Sequence, residues 1–383
     1  MRILMASVGD ISTDARVQKE AASLSAAGHS VRVLAFDYTL KRPATRVRAG
    51  VEYVLHPFPP RGSPHWKRLA GGARFYLWAL ARMLASPAGA VHSHNLHFAL
   101  PLLAVARLRR ARFVYDAHEL VVHEAGGKAQ PLMTRYERIV WTSADAAITT
   151  NPSRAARLHD LHGGTEPLVV GNHPVRPAEI TPVDLRASHG IPADRKVLLY
   201  QGGFYLENRC FDVAAEALAL LPGWHWVIVG FGSEQTIAAI QGMLDRAGVA
   251  DRATILPPAS LEELLDVTAG ADLGIIPMAN VSLNTYLGDT NKLYEYLMAG
   301  IPAVGSDFPE IRRTLLADPA GPLGAVFDPS DPASIAAAVK EVEDALPELR
   351  PRAWRAARER YAWQHEEEKL TALYRALTPR GED

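Results

Sequence analysis

Cysteine is almost missing from this chain: Cys210 stands alone in 383 residues. One thiol excludes an intramolecular disulfide framework and a cysteine-ligated zinc site, and it suits a reducing compartment, so a cytoplasmic protein is expected. Long hydrophobic runs are also missing. No stretch reaches the roughly 18 apolar residues of a spanning helix, and the opening MRILMASVGD, a short apolar run cut by glycine and aspartate, does not read as a signal peptide. Neither G-x-G-x-x-G nor G-x-x-x-x-G-K-[ST] occurs, which disfavours a nicotinamide dehydrogenase and a P-loop NTPase.

What the chain does have is enough apolar sequence for two cores: 48% of residues are hydrophobic and 22% charged. Charge is unevenly spread. Residues 1–180 carry 23 of the 41 Lys and Arg but only 13 of the 42 Asp and Glu, so a basic half precedes an acidic one. Short apolar runs alternate with helical patterns: RILMAS (2–7), SVRVLAF (30–36), AVHSH (90–94), RFVYDAH (112–118), AAITTN (146–151) and PLVVGN (167–172). After the proline-rich segment 174–194 the rhythm restarts with KVLLYQGG (196–203), HWVIVGFG (225–232), ATILPP (253–258), LGIIPM (273–278), PAVGSD (302–307) and AVFDP (325–329). This is the βαβ pattern of parallel sheets covered on both faces. It predicts an α/β protein of two doubly wound, Rossmann-like domains, 1–173 and 195–361, joined by a linker over 174–194. A ligand is expected in a cleft between them, at the carboxyl ends of strands.

The turns after those strands are the places to look for chemistry. Gly202 and Gly203 end one strand, with Arg209 in the loop before a helix starting near Phe211. Gly230, Phe231 and Gly232 form a second such turn. Both permit close approach of backbone N–H groups to phosphate oxygens, although tight strand-to-helix turns need glycine for purely structural reasons as well. In DTNKLYEYLMAGIPAVGSD (289–307) a helix from about Asn291 to Ala299 is predicted. Its N-terminal residues Thr290, Asn291 and Lys292 make an anion site with a cation beside it, and Glu295, one turn in, is placed to accept from a pair of hydroxyls, the competing reading being a first-turn glutamate favoured by the helix dipole.

Here the residues resemble a known family. E-Y-L-M-A-G-I-P-A-V, Glu295 to Val304, is similar to the E-A-M-A-x-G-x-P-V-V signature of family 4 nucleotide-sugar glycosyltransferases of the GT-B fold. DARVQKEAASLSAAGHSVRVLA, VHSHNLHFALPLLAVA, LYQGGFYLENR, GAVFDPSDPASIAAAV and YAWQHEEEKLTALYRAL resemble further family elements in the required order. The resemblance implies a GT-B protein whose last helix (about 362–383) crosses back to the first domain. It also implies transfer of a sugar from a nucleoside diphosphate donor to a hydroxyl acceptor with retention of configuration, without a metal or other cofactor. Glu295 matches the ribose ligand, Arg209 the basic diphosphate ligand, and Thr290 and Asn291 the amides on the distal phosphate. Leu256 and Pro258 match the backbone contacts to the base, and His118, in YDAHEL, matches the histidine near the reacting centre. His118, Arg209 and Lys292 are the expected catalytic groups. Gly203, Gly230, Phe231, Leu256, Pro258, Thr290, Asn291, Lys292 and Glu295 are expected to hold the donor.

Two positions depart from the family pattern. Leu287 stands where a glutamate usually contacts the donor sugar, with Asp289 or Asn284 as substitutes, and Gly203 stands where an arginine usually adds charge, with Lys292 as the replacement. Asp14, Arg16, His94 and Glu119 are expected at the acceptor side or in the cleft. For Asp14 and Arg16 the competing reading is a helix N-cap and a surface charge, and for Glu119 a solvated cap. His92, His94 and His97 mimic a metal cluster, but no carboxylate visibly completes it. The helix 65–85 mixes Lys67, Arg68, Arg74 and Arg82 with Trp66, Phe75, Tyr76 and Trp78, which suggests an anionic membrane surface. Against that, Ala73, Leu77, Leu80 and Leu84 make an ordinary core stripe. Nucleic acid explains the same charge less well, since no binding motif accompanies it. A sugar-nucleotide epimerase of the same fold and a non-catalytic sugar-nucleotide-binding subunit are the competing functions.

Overall fold

The computed structural model describes residues 1–12, 14–60, 62–122 and 130–378. The chain divides into two compact units: Met1–Asn172 together with the residues from Glu366 onward, and His173–His365.

The first unit is built on β1 (Arg2–Asp10), β2 (Ser30–Asp37), β3 (Ala44–Arg48), β4 (Val51–Pro57), β5 (Ala90–His94), β6 (Arg112–Ala117), β7 (Ala146–Thr149) and β8 (Leu168–Val169). They lie in the order β3-β4-β2-β1-β5-β6-β7-β8. All pairings are parallel except β3 with β4. The central strands are buried on both faces, as helices covering both sides require. The β3–β4 hairpin was not visible in the sequence. It turns through Ala49 and Gly50, both at positive φ (+50° and +74°), as the primed hairpin turns demand, and β3 is an exposed edge without an apolar run. Strand order reverses between β1 and β5. Register sets Ser7 beside His94 and His94 beside Asp116, so the polar ends of three strands meet at that reversal.

Two helices of this unit bear on function. The last helix, Trp363–Leu377, returns to the first unit from Glu366 on: Glu366 accepts from the Gly171 N–H at 2.7 Å, and Leu370 and Tyr374 are fully buried. Helix His65–Ala85 buries Gly71, Phe75, Ala79 and Met83. The expected core stripe is therefore misplaced. Ala73, Leu77 and Leu84 are exposed and Leu80 half-buried, because the sheet takes the opposite, smaller-residue face. Among the described residues no helix is long and apolar enough to cross a membrane.

The second unit carries β9 (Lys196–Gly203), β10 (Trp224–Phe231), β11 (Ala253–Leu256), β12 (Leu273–Ile276), β13 (Ala303–Ser306) and β14 (Gly324–Phe327). They are all parallel, in the order β11-β10-β9-β12-β13-β14. This is the doubly wound Rossmann order, with the reversal between β9 and β12. One core layer packs Phe211, Trp224 and Trp226 on the sheet, and the other packs Leu293, Tyr296 and Leu297. Segment 174–194 runs with this unit. Leu185 and Ile191 enter its core, and Val183 donates its N–H to the Asp266 carbonyl at 3.0 Å.

Candidate functional site

At the reversal point of the second unit a cavity of about 420 Å³ is lined by Gln201, Gly202, Gly230, Phe231, Pro258, Ala259, Asp289, Thr290, Asn291, Lys292 and Glu295, among others. Seven of the expected donor residues thus come together, counted as Gly230, Phe231, Pro258, Thr290, Asn291, Lys292 and Glu295. Leu256 and Pro258 also line an adjoining, more apolar cavity of about 590 Å³. Helix Asn291–Met298 points its start into the first cavity. Lys292, Leu293, Tyr294, Tyr296, Leu297 and Met298 are buried, so Glu295, half-buried, is the one acid that this helix presents there.

The helix start is built to meet an anion. Asp14, Asn151, Ser233 and Asp331 close the N-termini of their helices with side-chain hydrogen bonds. Thr290, whose hydroxyl could do the same, makes no such bond, and that oxygen faces the Lys292 ammonium at 3.3 Å. Lys292 is only 6% exposed. Among the described residues Thr290 Oγ1 is its single hydrogen-bond acceptor, with the Tyr200 ring 5.2 Å from Nζ. An ammonium needs more partners than that when buried. Burial, with the charge of Arg209 added and that of Glu295 opposing, lowers its pKa to about 7. Arg209 is held by Nε donation to the Tyr200 hydroxyl at 3.2 Å and by Nη1 donation to the Asn208 carbonyl at 2.9 Å.

The departure at Gly203 has a steric side. A Cβ on Gly203 would lie 2.4 Å from the Tyr205 ring, so the space of a larger side chain at 203 is already filled by an aromatic residue. A Cβ on Gly230 would fall 1.8 Å from the Gly202 carbonyl oxygen, which makes Gly230 a requirement of strand packing. Asp289 lines the cavity and accepts from the Tyr294 hydroxyl at 3.1 Å; Asn284 is not among the lining residues. Sequence reasoning missed Gln201. It is 3% exposed and donates its amide to Glu295 Oε2 at 2.6 Å; its signal was a lone carboxamide in the apolar run VLLY.

The strand ends of the first unit hold a separate, buried polar cluster. Arg16 chelates Asp116 through Nε and Nη2, both at 3.0 Å, and donates Nη1 to the Val170 carbonyl at 2.7 Å. His118 Nε2 lies 2.9 Å from Asp116 Oδ2, and Arg154 donates to the His118 carbonyl at 2.6 Å. His94 Nδ1 is 3.2 Å from His118 Nε2, and the His92 and His94 rings stack at 4.2 Å. Arg16 and His94, expected to face the cleft, are 4% and 1% exposed; they hold the groups around His118 and present nothing to solvent. Asp14 caps its helix through Val17 N–H at 3.2 Å and accepts from Ser7 Oγ at 3.1 Å. Glu119 is exposed.

Two carboxylates do join the histidines, contrary to expectation. Ligand atoms of Glu20, His92, His94 and Asp116 lie within 4.8 Å of one another, while His97 is exposed and apart. A cation is already built into the group, however. Arg16 Nε stands 2.9 Å from Glu20 Oε1 and 3.0 Å from Asp116 Oδ2. Burial pushes Asp116 up, but Arg16 and the hydrogen bonds of His118 and His94 outweigh it and hold the carboxyl well below its usual range. Burial raises Glu20 well above the usual carboxyl range despite Arg16, and it keeps His92 and His94 below the usual imidazole range. These directions favour the charge on Arg16 and Asp116 and the proton on Glu20.

Two family models match, one to each unit. "Glycosyl transferase 4-like domain" covers residues 13–173 and "Glycosyl transferases group 1" covers residues 195–344. The chain belongs to this GT-B glycosyltransferase family. Among curated relatives, D-inositol 3-phosphate glycosyltransferase of Mycolicibacterium smegmatis is 29% identical over 274 residues, 68% of this chain and 61% of that protein. The enzyme of the same name from Mycobacterium tuberculosis is 29% identical over 177 residues, 43% of this chain and 37% of its own length. The matched region thus spans about two fifths to three fifths of these family members. Among solved structures, sucrose-phosphate synthase from Thermosynechococcus elongatus superposes with a TM-score of 0.79 at 18% identity, covering 98% of this chain and 99% of that one. Anabaena HepE in complex with UDP-glucose gives 0.72 at 15% identity, covering 98% and 100%. At such identities the likeness concerns the fold.

Proposed function

We propose that the protein transfers a sugar from a nucleoside diphosphate sugar to a hydroxyl acceptor, with retention of anomeric configuration and without a metal. The observation that carries this reading is Lys292, a buried ammonium with one acceptor at 3.3 Å, at an uncapped helix start in a cavity that also holds Glu295. A diphosphate supplies the acceptors that the lysine lacks, and a ribose supplies the hydroxyl pair for the carboxylate. As the anomeric bond breaks, negative charge grows on the leaving diphosphate. The helix start, Lys292 and Arg209 stabilise it, as fixed donors and charges do best where they need no reorganisation. Three cationic elements on one leaving group are the task that a divalent ion performs elsewhere. His118 is held by Asp116 on the first unit and is proposed to act at the sugar.

The M. smegmatis relative is named for a phosphorylated cyclitol acceptor, which supports a polyol hydroxyl as acceptor here, and the HepE structure contains UDP-glucose, which supports a nucleotide-sugar donor. A membrane surface is proposed as a further partner. Between Glu52 and Asp116 the sequence has nine Lys and Arg and no acid. Within it, Trp66, Leu69, Leu77 and Leu84 are 66%, 61%, 71% and 40% exposed. At 100° per residue those four fall in a sector of about 80°, opposite the buried stripe and bordered on one side by Lys67 and Arg74.

A panel of UDP-, GDP-, dTDP- and ADP-sugars, incubated in EDTA with a mixture of polyol and glycan acceptors, tests the activity. Nucleoside diphosphate released together with an α-linked product from an α-linked donor is expected. A changed sugar without release indicates an epimerase, and binding without either indicates a carrier subunit. Glu295→Ala is expected to weaken nucleoside diphosphate binding by about tenfold or more, the range of a lost charged hydrogen-bond acceptor, measured by calorimetry. Unchanged affinity removes the ribose from Glu295.

A further inference from the structure

We infer that Gln201, locked by Thr268, is a positioning residue that fixes the Glu295 carboxylate for a ribose diol; this rests on the nucleotide reading of the cavity. Gln201 interrupts β9 where Val197, Leu198, Leu199 and Tyr200 are all buried. A carboxamide at such a place costs desolvation unless each of its ends is used. Both ends are used. Nε2 donates to Glu295 Oε2 at 2.6 Å, and Oε1 accepts from Thr268 Oγ1 at 2.7 Å.

The orientation of the amide follows from the chemistry of its neighbours. Thr268 Oγ1 is within reach of two acceptors, Gln201 Oε1 at 2.7 Å and the Leu264 carbonyl at 2.6 Å, and it has one proton. A flipped amide would set its carbonyl oxygen 2.6 Å from a carboxylate oxygen, two acceptors with no hydrogen between them. Thr268 therefore gives its proton to Gln201, which turns the NH₂ toward Glu295. The fully buried Thr268 and the strand backbone together hold the donor still. Gln201 N–H donates in turn to the Tyr296 hydroxyl at 3.2 Å, which ties the strand to the helix of Glu295. One carboxylate oxygen pinned in this way stops rotation about the last torsion of Glu295. The group then meets its ligand already oriented, and less freedom is lost on binding.

The test is a ligand-variant cycle. Binding of UDP, GDP or ADP, whichever the wild type holds tightest, is compared by calorimetry with binding of its 2′,3′-dideoxy analogue. The comparison is made in wild type, Gln201→Met, Thr268→Val and Thr268→Ser. Wild type is expected to prefer the ribose form. Gln201→Met should shrink that preference roughly tenfold and leave the dideoxy affinity unchanged. Thr268→Val should shrink it several-fold, while Thr268→Ser, which keeps the hydroxyl, should retain it. An equal loss for both ligands in Gln201→Met would assign the residue to packing alone and overturn the inference, as would an undiminished preference. If Gln201→Met does not fold, the Val and Ser variants of Thr268 give the same reading. A wild type indifferent to the ribose hydroxyls overturns the Glu295 assignment itself, and with it this inference.

Discussion

Lys292 is the residue whose state depends most on its ligand. With a pKa of about 7, it is half-charged near neutrality, and the proposed diphosphate would raise that pKa by supplying negative charge. The bound form therefore holds the proton more tightly than the free form, so affinity rises as pH falls. The limit is tenfold per pH unit above about 7, with a plateau below. Calorimetry in two buffers of different ionisation enthalpy should show uptake approaching one proton at pH 8 and almost none at pH 6. Lys292→Arg should keep binding but lose the proton uptake.

How much of the site the sequence disclosed also depends on the residue. Glu295, Thr290 and Lys292 were legible because a helix start is a local pattern, and cap and anion chemistry sit within a few positions of each other. Gln201 was not, since its partners Thr268 and Glu295 are 67 and 94 residues away. Gly203 was seen as a lost charge. The overlap with Tyr205, two positions along, shows it as half of a matched pair.

Among elements, the parallel strands were readable because a strand buried on both faces is an unbroken apolar run ended by a turn. The β3–β4 edge and the face of helix His65–Ala85 were not, because two stripes on that helix are apolar and periodicity cannot say which one faces the sheet. The exposed stripe leads to a direct expectation: Leu69→Asp with Leu77→Asp should abolish co-sedimentation with vesicles containing anionic lipid, and leave transfer to a water-soluble acceptor intact. Where helix Ala15–Ala26 meets β5 and β6, burial raises the Glu20 pKa, so the folded state keeps this proton to higher pH than the unfolded chain does. The unfolded chain releases it near the ordinary value of 4.5, so this group lowers stability as pH rises above that value. Glu20→Gln should thus match wild type near pH 4 and exceed it in urea denaturation at pH 7 to 8. Asp116→Asn should cost less than the roughly 3–5 kcal/mol of a broken buried pair, because Glu20, 2.9 Å from Arg16, takes over as its counter-charge once Asp116, which raises the Glu20 pKa, is gone.

At the scale of the whole molecule, the first unit depends on residues from the far end of the chain. Tyr374, fully buried, meets His92 Nδ1 through its hydroxyl at 2.8 Å. Tyr374→Ala should cost about 3–5 kcal/mol, as a buried aromatic truncation does. Calorimetric unfolding should show that loss in the transition of the first unit, with the transition of the second unchanged.

The same connection sets an order of events during synthesis. The ribosome makes residues 1–172 first, but the last helix that closes their polar cluster emerges only after all of His173–His365, a delay on the order of 10–40 s at roughly 5–20 residues per second. The second unit is contiguous and can be finished first. The unit begun earliest is completed last, and through that interval Glu20 and His92 lack their Tyr374 cover. A nascent chain stalled before Glu366 would thus carry a finished second unit and an open first one, the form in which a chaperone or protease would meet it.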